Sequence, residues 1–368
     1  MAELEGDAGA PPPSPSASDG VALEAPRRVV EHPFEFRGNA SEYFRIWIVN
    51  LALTLVTIGV FSAWAKVRRE RYFYGNTWVA GAPFEYLANP INILKGRIVA
   101  VVAFGLYALL GHVEPFAQLV LIAVVLVVSP LIIANALRFR ARYSAWNTLT
   151  FRFLGSLKNA FKVYLGLIVL MVPTFGLIFP YARFRQRGYV VSGHRFGGVT
   201  FEFSSSAREF YRIYVKAGFV SFGCGVLAAV ALMATFAALA QTTKLPFRSL
   251  NFFISAAVTY GTAFFVWSYV AARVTNLSYN SSKLGEHRFR STVRARDLIA
   301  IYLTNAVAIV LSVGMLVPWA QVRLARYRAA HFVLCAQGDL AAFVAEASAD
   351  RSAFGEETAN IFDMDLSL

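Results

Sequence analysis

Cysteine and histidine are scarce. Two cysteines, Cys224 in an apolar run and Cys335 in the last loop, cannot build a disulfide framework or a metal cage. The five histidines, His32, His112, His194, His287 and His331, show no ligand spacing, so neither a metal nor any other cofactor is expected. H-E-x-x-H, G-x-S-x-G and P-loop patterns are missing, which argues against an enzyme. Charge is thin as well: 15 % of the chain is charged and 57 % hydrophobic, with a mean hydropathy of +0.51. A water-soluble domain does not carry that composition, and a multi-pass membrane protein does.

Acidic residues are short in one region only. Residues 1–30 hold five acids against Arg27 and Arg28, and residues 339–368 hold seven against Arg351, whereas residues 31–338 hold 32 Lys or Arg against 10 Asp or Glu. The first thirty residues lack the basic and apolar regions of a signal peptide and, being rich in Pro, Ser and Ala, read as a disordered leader. The last thirty form an acidic tail. A membrane body this basic suits the cytoplasmic side and its anionic lipids, with both termini there. Nucleic acid is not expected, because the cations sit at the ends of apolar segments and not in a free patch.

Seven stretches approach the length of a bilayer crossing, about 44–64, 93–111, 117–137, 161–182, 213–239, 252–272 and 298–319. They are copies. An offset of 117 carries Phe34 onto Phe151, Gly38 onto Gly155, Gly59 onto Gly176, Arg68 onto Arg185, Tyr72 onto Tyr189 and Glu85 onto Glu202 without a gap. An offset of 255 pairs Phe34 with Phe289, Asn50 with Asn305, Trp64 with Trp319 and Tyr72 with Tyr327. The organisation is therefore a three-segment unit over 31–150, a second over 151–288 and a truncated third over 289–338.

Each unit's first segment ends in one motif: GVFSAWAKVR, GLIFPYARFR and GMLVPWAQVR. Trp64, Tyr181 and Trp319 suit the headgroup level, and Arg68, Arg185 and Arg323, four positions on, can snorkel to phosphate. Upstream stand Thr57 and Gly59, Thr174 and Gly176, Ser312 and Gly314, with Pro173 added in the second copy; such small residues pack helices closely or mark a bend. Lys95 and Arg97 at a span entrance can hold a lipid phosphate or fix orientation.

Both flanks of each motif segment are basic: Arg37 and Arg45 before the first, and Lys66, Arg68, Arg69 and Arg71 after it. Entry and return on one side reconciles this with cytoplasmic cations and leaves four true spans, with HVEPFAQ and QTTKLPFRS outside. Period-two alternation in HPFEFRG, YFYGNTWVAGAPFEY, NTLTFRF, GYVVSGHRFGGVTFEF and EHRFRS predicts short strands and hairpins sharing one cytoplasmic sheet. The alternative is seven crossings, in which the units become inverted repeats.

FRGNASEYFRIW, SAWAKVRRERYFYGNT and ILKGR resemble the YjgN-like family of bacterial inner-membrane proteins, a family of unknown function, over about residues 33–335. The resemblance implies an inner-membrane location and no established activity, catalytic residue or cofactor. The second copy departs from the family's Tyr-x-x-x-Asn-Thr signature (Tyr72, Asn76, Thr77), with Gly193 and His194 where the first has Asn76 and Thr77.

The expectation is a mainly α-helical multi-pass inner-membrane protein with internal repeats. Glu42, Glu209 and Asp297 read as helix-start acids. Asn50 and Asn305, at equal depth in their segments, bond neighbouring helices or line a pathway. Two functions follow: a transporter or channel for a small neutral or anionic solute, or a non-transporting scaffold or anionic-lipid-binding protein.

Overall fold

A computed structural model of the chain describes residues 29–113, 115–239 and 247–349. The leader to residue 28, Glu114, residues 240–246, which take in most of the QTTKLPFRS stretch expected outside, and the tail beyond 349 lie outside the described residues.

Within them, four helices are long and apolar enough to cross a membrane: Pro90–Leu110, Phe116–Arg142, Ala207–Ala234 and Phe253–Asn280. They belong to α3 (Pro90–Val113), α4 (Pro115–Arg142), α8 (Ala207–Leu239) and α9 (Phe247–Asn280). Only 6 % of each apolar window is buried inside the protein, so most of their apolar surface faces outward. The other three apolar stretches do not form unbroken helices. Each splits into a hairpin: α1 (Ala40–Val56) with α2 (Ser62–Gly75); α5 (Leu157–Ala160), π-helical Phe161–Gly166 and α6 (Leu167–Met171) with α7 (Phe179–Gly193); and α10 (Ala295–Leu311) with α11 (Val317–Ala330).

The strands form one eleven-stranded antiparallel sheet. β1 (Val29–Pro33) and β2 (Glu35–Phe36) are followed by β3 (Thr77–Val79), β4 (Ala82–Tyr86), β5 (Ser144–Trp146), β6 (Leu149–Phe153), β7 (His194–Phe196), β8 (Val199–Phe203), β9 (Ser282–Leu284), β10 (His287–Ser291) and β11 (Phe332–Gln337). Neighbours in sequence pair around the sheet, while β1 pairs with β11 and β2, one residue further on, pairs with β3. The stretch 29–36 thus offers one edge to each end of the chain, and the sheet nearly closes into a ring. Closure removes the open edges that short hairpins otherwise leave.

Register explains the alternation. Phe84 faces Trp146, Phe151 faces Phe196, Phe201 faces Leu284 and Phe289 faces Leu334. These positions point inward, where Val79, Trp146, Leu149, Phe196, Leu284 and Leu334 form the buried core. The alternate positions carry charge outward: Arg152 opposes Arg195, Glu202 opposes Lys283, and Arg290 forms an ion pair with Glu31. Turns of two left-handed residues, Ala80–Gly81 and Asn147–Thr148, join the strands and match the strands' own twist.

Two stretches expected as strand are helical instead. Tyr72–Gly75 finishes α2 and Gly188–Gly193 finishes α7, because each helix runs unbroken until its strand pairs. Cys335 lies on β11, not in a loop, and Val29 and Val30 of the leader boundary belong to β1. At the start of the acidic tail a short helix, α12 (Leu340–Ala349), folds over the ring. Phe343 stacks on Phe196 at 6.4 Å, and the Gly198 N–H donates to the Ala347 carbonyl at 3.2 Å.

Candidate functional site

The hydroxyl-x-Gly pattern builds the hairpin turns. Ile58 and Gly59, Phe175 and Gly176, and Val313 and Gly314 all take left-handed backbone, the glycines at φ of +88°, +77° and +87°. The N–H of Gly59 donates back to the Thr54 carbonyl, that of Gly176 to Met171 and that of Gly314 to Ile309, at 2.7, 2.9 and 2.8 Å. This six-residue closure satisfies carbonyls that a helix end leaves free. The Thr57 hydroxyl donates to the Leu53 carbonyl at 2.7 Å and accepts the Phe61 N–H at 2.9 Å; Ser312 does the same with Ile309 and Leu316, at 3.2 and 3.0 Å. Thr174 donates to the Leu170 carbonyl at 2.6 Å. Nothing lies within 4 Å of an added Cβ at any of the three glycines, so they serve the turn and not a helix contact. Pro173 sits exposed in the second turn.

The tips are apolar and bare: Ile58 is 94 % exposed, Phe175 94 % and Val313 88 %. The other ends of the hairpins are pinned. The Tyr72 hydroxyl donates to the Asn39 carbonyl at 2.8 Å, Tyr189 to Ser156 at 3.4 Å and Tyr327 to Arg294 at 3.4 Å. Tyr72 also reaches Glu42 at 3.4 Å and Tyr327 reaches Asp297 at 3.3 Å, while Glu209 accepts from the Ser206 N–H at 2.9 Å.

Asn50 and Asn305 are buried, and each meets its own motif arginine. Arg68 donates to the Asn50 Oδ1 at 3.5 Å; Arg323 donates to Asn305 at 3.1 Å and to the Thr304 hydroxyl at 2.6 Å, while the Asn305 amide donates to the Ala320 carbonyl at 3.3 Å. Arg323 also stacks 5.1 Å over Trp319, and Arg68 lies 5.4 Å from the Phe61 ring. Trp64 and Tyr181 are half-buried, Arg185 and Lys95 are exposed, and Arg97 donates to the Ser62 hydroxyl.

The first and third hairpins lie side by side: Tyr43 donates to Gln321 at 2.9 Å and Arg326 to the Gly38 carbonyl at 3.1 Å. In the first hairpin Arg45, Arg68 and Arg71 converge on one groove of about 500 Å³, floored by Ile46 and Val49. Cations from the entering and the returning helix therefore share one end, opposite the apolar tip.

A second concavity, about 360 Å³, occupies the ring interior. Its wall is aromatic, with Phe34, Phe84, Trp146, Phe151, Phe196, Phe201 and Phe289; Leu340 and Phe343 of α12 close the end where the strand turns lie. The opposite end, where the helices enter, supplies Arg187, His194, Ser278 and Tyr279. Burial pushes the His194 imidazole below its ordinary value, and burial together with the neighbouring Arg183 pulls Arg187 down. In the sequence Arg187 is one of the cations that follow the second motif. The signal was present in the offsets, since Arg187 replaces Glu70 of the first unit and Ala325 of the third.

A family model described as bacterial protein of unknown function (DUF898) matches residues 31–361. The chain belongs to this family. Its matched span takes in β2 to β11 and most of β1, all three hairpins and the four candidate spans. Among curated proteins the chain is similar to Inner membrane protein YjgN of Escherichia coli O157:H7, 34 % identical over 156 residues, which is 41 % of this chain and 38 % of that protein. YjgN of Escherichia coli strain K12 is 32 % identical over 154 residues (41 % and 38 %), and that of Salmonella typhimurium 29 % over 145 (38 % and 36 %). The match spans less than two fifths of these relatives' length. No solved structure matches the chain.

Proposed function

We propose that the chain is a non-transporting, anionic-lipid-binding protein of the bacterial inner membrane. Its three hairpins are copies of one re-entrant unit that dips into the cytoplasmic leaflet, and the ring of strands sits on the cytoplasmic side with both termini. One observation carries the reading: Arg45, Arg68 and Arg71 share one groove, while Ile58, at the far end of the same hairpin, is almost wholly exposed. An apolar tip below a cationic groove fits acyl chains below phosphate. At 17 residues α1 rises about 25 Å, short of the hydrocarbon thickness, and turns back.

The spans give transport less support. A pathway needs helices that enclose it, whereas these four windows are 6 % buried, and Asn50 and Asn305 are engaged by arginines of their own hairpins. The test is thermal stability of the purified chain in micelles doped with phosphatidylglycerol or phosphatidylcholine. The anionic lipid should raise the melting midpoint of the wild type and not that of Arg45→Gln with Arg71→Gln. Equal shifts in both proteins, or solute flux in proteoliposomes above that of empty vesicles, overturn the reading. Impermeant labelling of cysteines introduced at His32 and Asn76, with Cys224 and Cys335 replaced by serine, tests the dip: both sites should report the same side of the membrane.

A further inference from the structure

We propose that the interior of the ring binds a single-chain amphipathic anion, with its apolar chain among the ring aromatics and its charged end held by Arg187, the cation that lines the cavity. This site is separate from the headgroup groove of the first hairpin, and only the ligand's route of entry, from the bilayer, rests on the function proposed above.

The helix end of the ring holds an unanswered charge. A guanidinium cannot shed its proton, so burying one without an acceptor carries an electrostatic penalty that other groups escape by neutralising. Among the described residues neither Arg187 nor Arg183 has a carboxylate within ion-pair distance. Arg183 donates from one terminal nitrogen to Gln186 at 3.1 Å, and its buried Nε has no partner. The two lie one turn apart on α7, so like charges face the same direction and each raises the other's need for an anion. Burial and Arg183 act on Arg187 in that same unfavourable sense.

Shape supplies the second half. The cavity, about 360 Å³, falls within the range of small-molecule sites, and its wall is almost wholly aromatic or aliphatic. Phe343 of α12 stops the far end, so an extended chain entering between the helices would lie with its tail toward α12 and its head at Arg187. The head faces the side from which α7 and α9 arrive, which is the membrane side in the orientation proposed above. Carboxylate and phosphate both answer the Arg187 guanidinium. Fatty acids and phosphate-headed single-chain lipids are the two sources of that chemistry.

The experiment is photo-crosslinking of the full chain in micelles with diazirine-bearing dodecanoate, dodecyl phosphate and uncharged dodecanol, mapped by peptide mass spectrometry. The expected result is labelling of ring peptides from β5 to β10 by one or both anions, at least tenfold above dodecanol. Arg187→Gln should lower it about tenfold, the equivalent of about 1.4 kcal/mol, and Arg187→Lys should keep most of it. Labelling by dodecanoate alone or by the phosphate alone identifies the source. Should Arg187→Gln label as the wild type does, or dodecanol label as strongly as the anions, the site is refuted. Phosphatidylglycerol stabilisation of the Arg187→Gln protein is read alongside: retained, it shows a folded chain and leaves the first-hairpin reading standing whatever the labelling shows.

Discussion

The first and third hairpins and the second share a turn but differ in what their returning helices meet. In the outer pair an arginine bonds a buried asparagine on the entering helix, Arg68 with Asn50 and Arg323 with Asn305. In the second, the position of that asparagine is Leu167, buried among Val163 and Ala182, and the entering helix widens into a π-helical stretch at Phe161–Gly166. Its motif arginine, Arg185, points to solvent, while Arg187 lines the ring cavity and Arg183 bonds Gln186 on its own helix. A buried amide needs its partner, so the outer hairpins are locked by polar pairing and the middle one by apolar packing. That difference frees the middle hairpin's cations for another task.

Two substitutions break the comparison most directly. Arg323→Leu strips Asn305 and Thr304 of their donor and should cost about 1–3 kcal/mol, the range for a polar group left unsatisfied in a buried site. Arg185→Leu, at the matching position, should stay within about 0.5 kcal/mol of wild type. Chemical denaturation in micelles reads both, and equal losses would show that the arginines act alike. What the hairpins share is tested by Gly59→Ala, Gly176→Ala and Gly314→Ala. Each should lose about 1–2 kcal/mol from left-handed backbone alone, since no neighbour crowds the added carbon. A much larger loss at one of them would reveal a contact that only that hairpin makes.

How far the sequence foretells this depends on how local each feature is. The three turns were legible, because hydroxyl, spacing and glycine act within one helical turn. So were the five-residue strands in NTLTFRF and EHRFRS, whose alternation spans two full periods. The three-residue strands Ser144–Trp146 and Ser282–Leu284 were not, since three residues hardly show a period, and β11 was missed because Phe332–Gln337 is apolar on both faces. Closure of the ring rests on Val29–Pro33 pairing with β11, some 300 residues further along the chain, which no window reveals. Arg187 stood out only on setting Glu70 and Ala325 beside it. The cap by α12 hid in a tail whose charge drew attention away from Leu340, Phe343 and Ala347.

The seam between first and third hairpins gives a smaller effect. Tyr43→Phe removes the bond to Gln321 and keeps the packing against Tyr72 and Phe73, so the loss should be about 1 kcal/mol. Burial pushes the Tyr43 phenol up to about 12. The hydroxyl therefore stays a donor through the alkaline range in which exposed tyrosines ionise. Spectrophotometric titration should show one late-ionising tyrosine fewer in Tyr43→Phe than in wild type.

The finest contrast lies between the ring's two mouths, charged at the helices and apolar at α12. His287 sits under the apolar cap, its Nδ1 accepting the Gln337 N–H at 3.1 Å and its ring 4.3 Å from Phe343, edge to face. Burial lowers its pKa from the ordinary 6.5; Glu286 opposes that shift and His32 adds to it. Above the ordinary value both folded and unfolded chains hold a neutral imidazole, and nothing is lost. As pH falls through 6.5 the unfolded chain takes up its proton first, so stability declines until the folded pKa is passed. Protonation also takes away the acceptor for Gln337. The protection factors of the amides across Phe343–Ala347, with exchange corrected for its intrinsic pH dependence, should therefore fall between about pH 7 and about pH 5. His287→Phe, neutral at every pH, should flatten most of that response; the buried His194, at the other mouth and shifted in the same direction, leaves a residue that does not reach α12. An unchanged response in His287→Phe would move the sensor away from the cap.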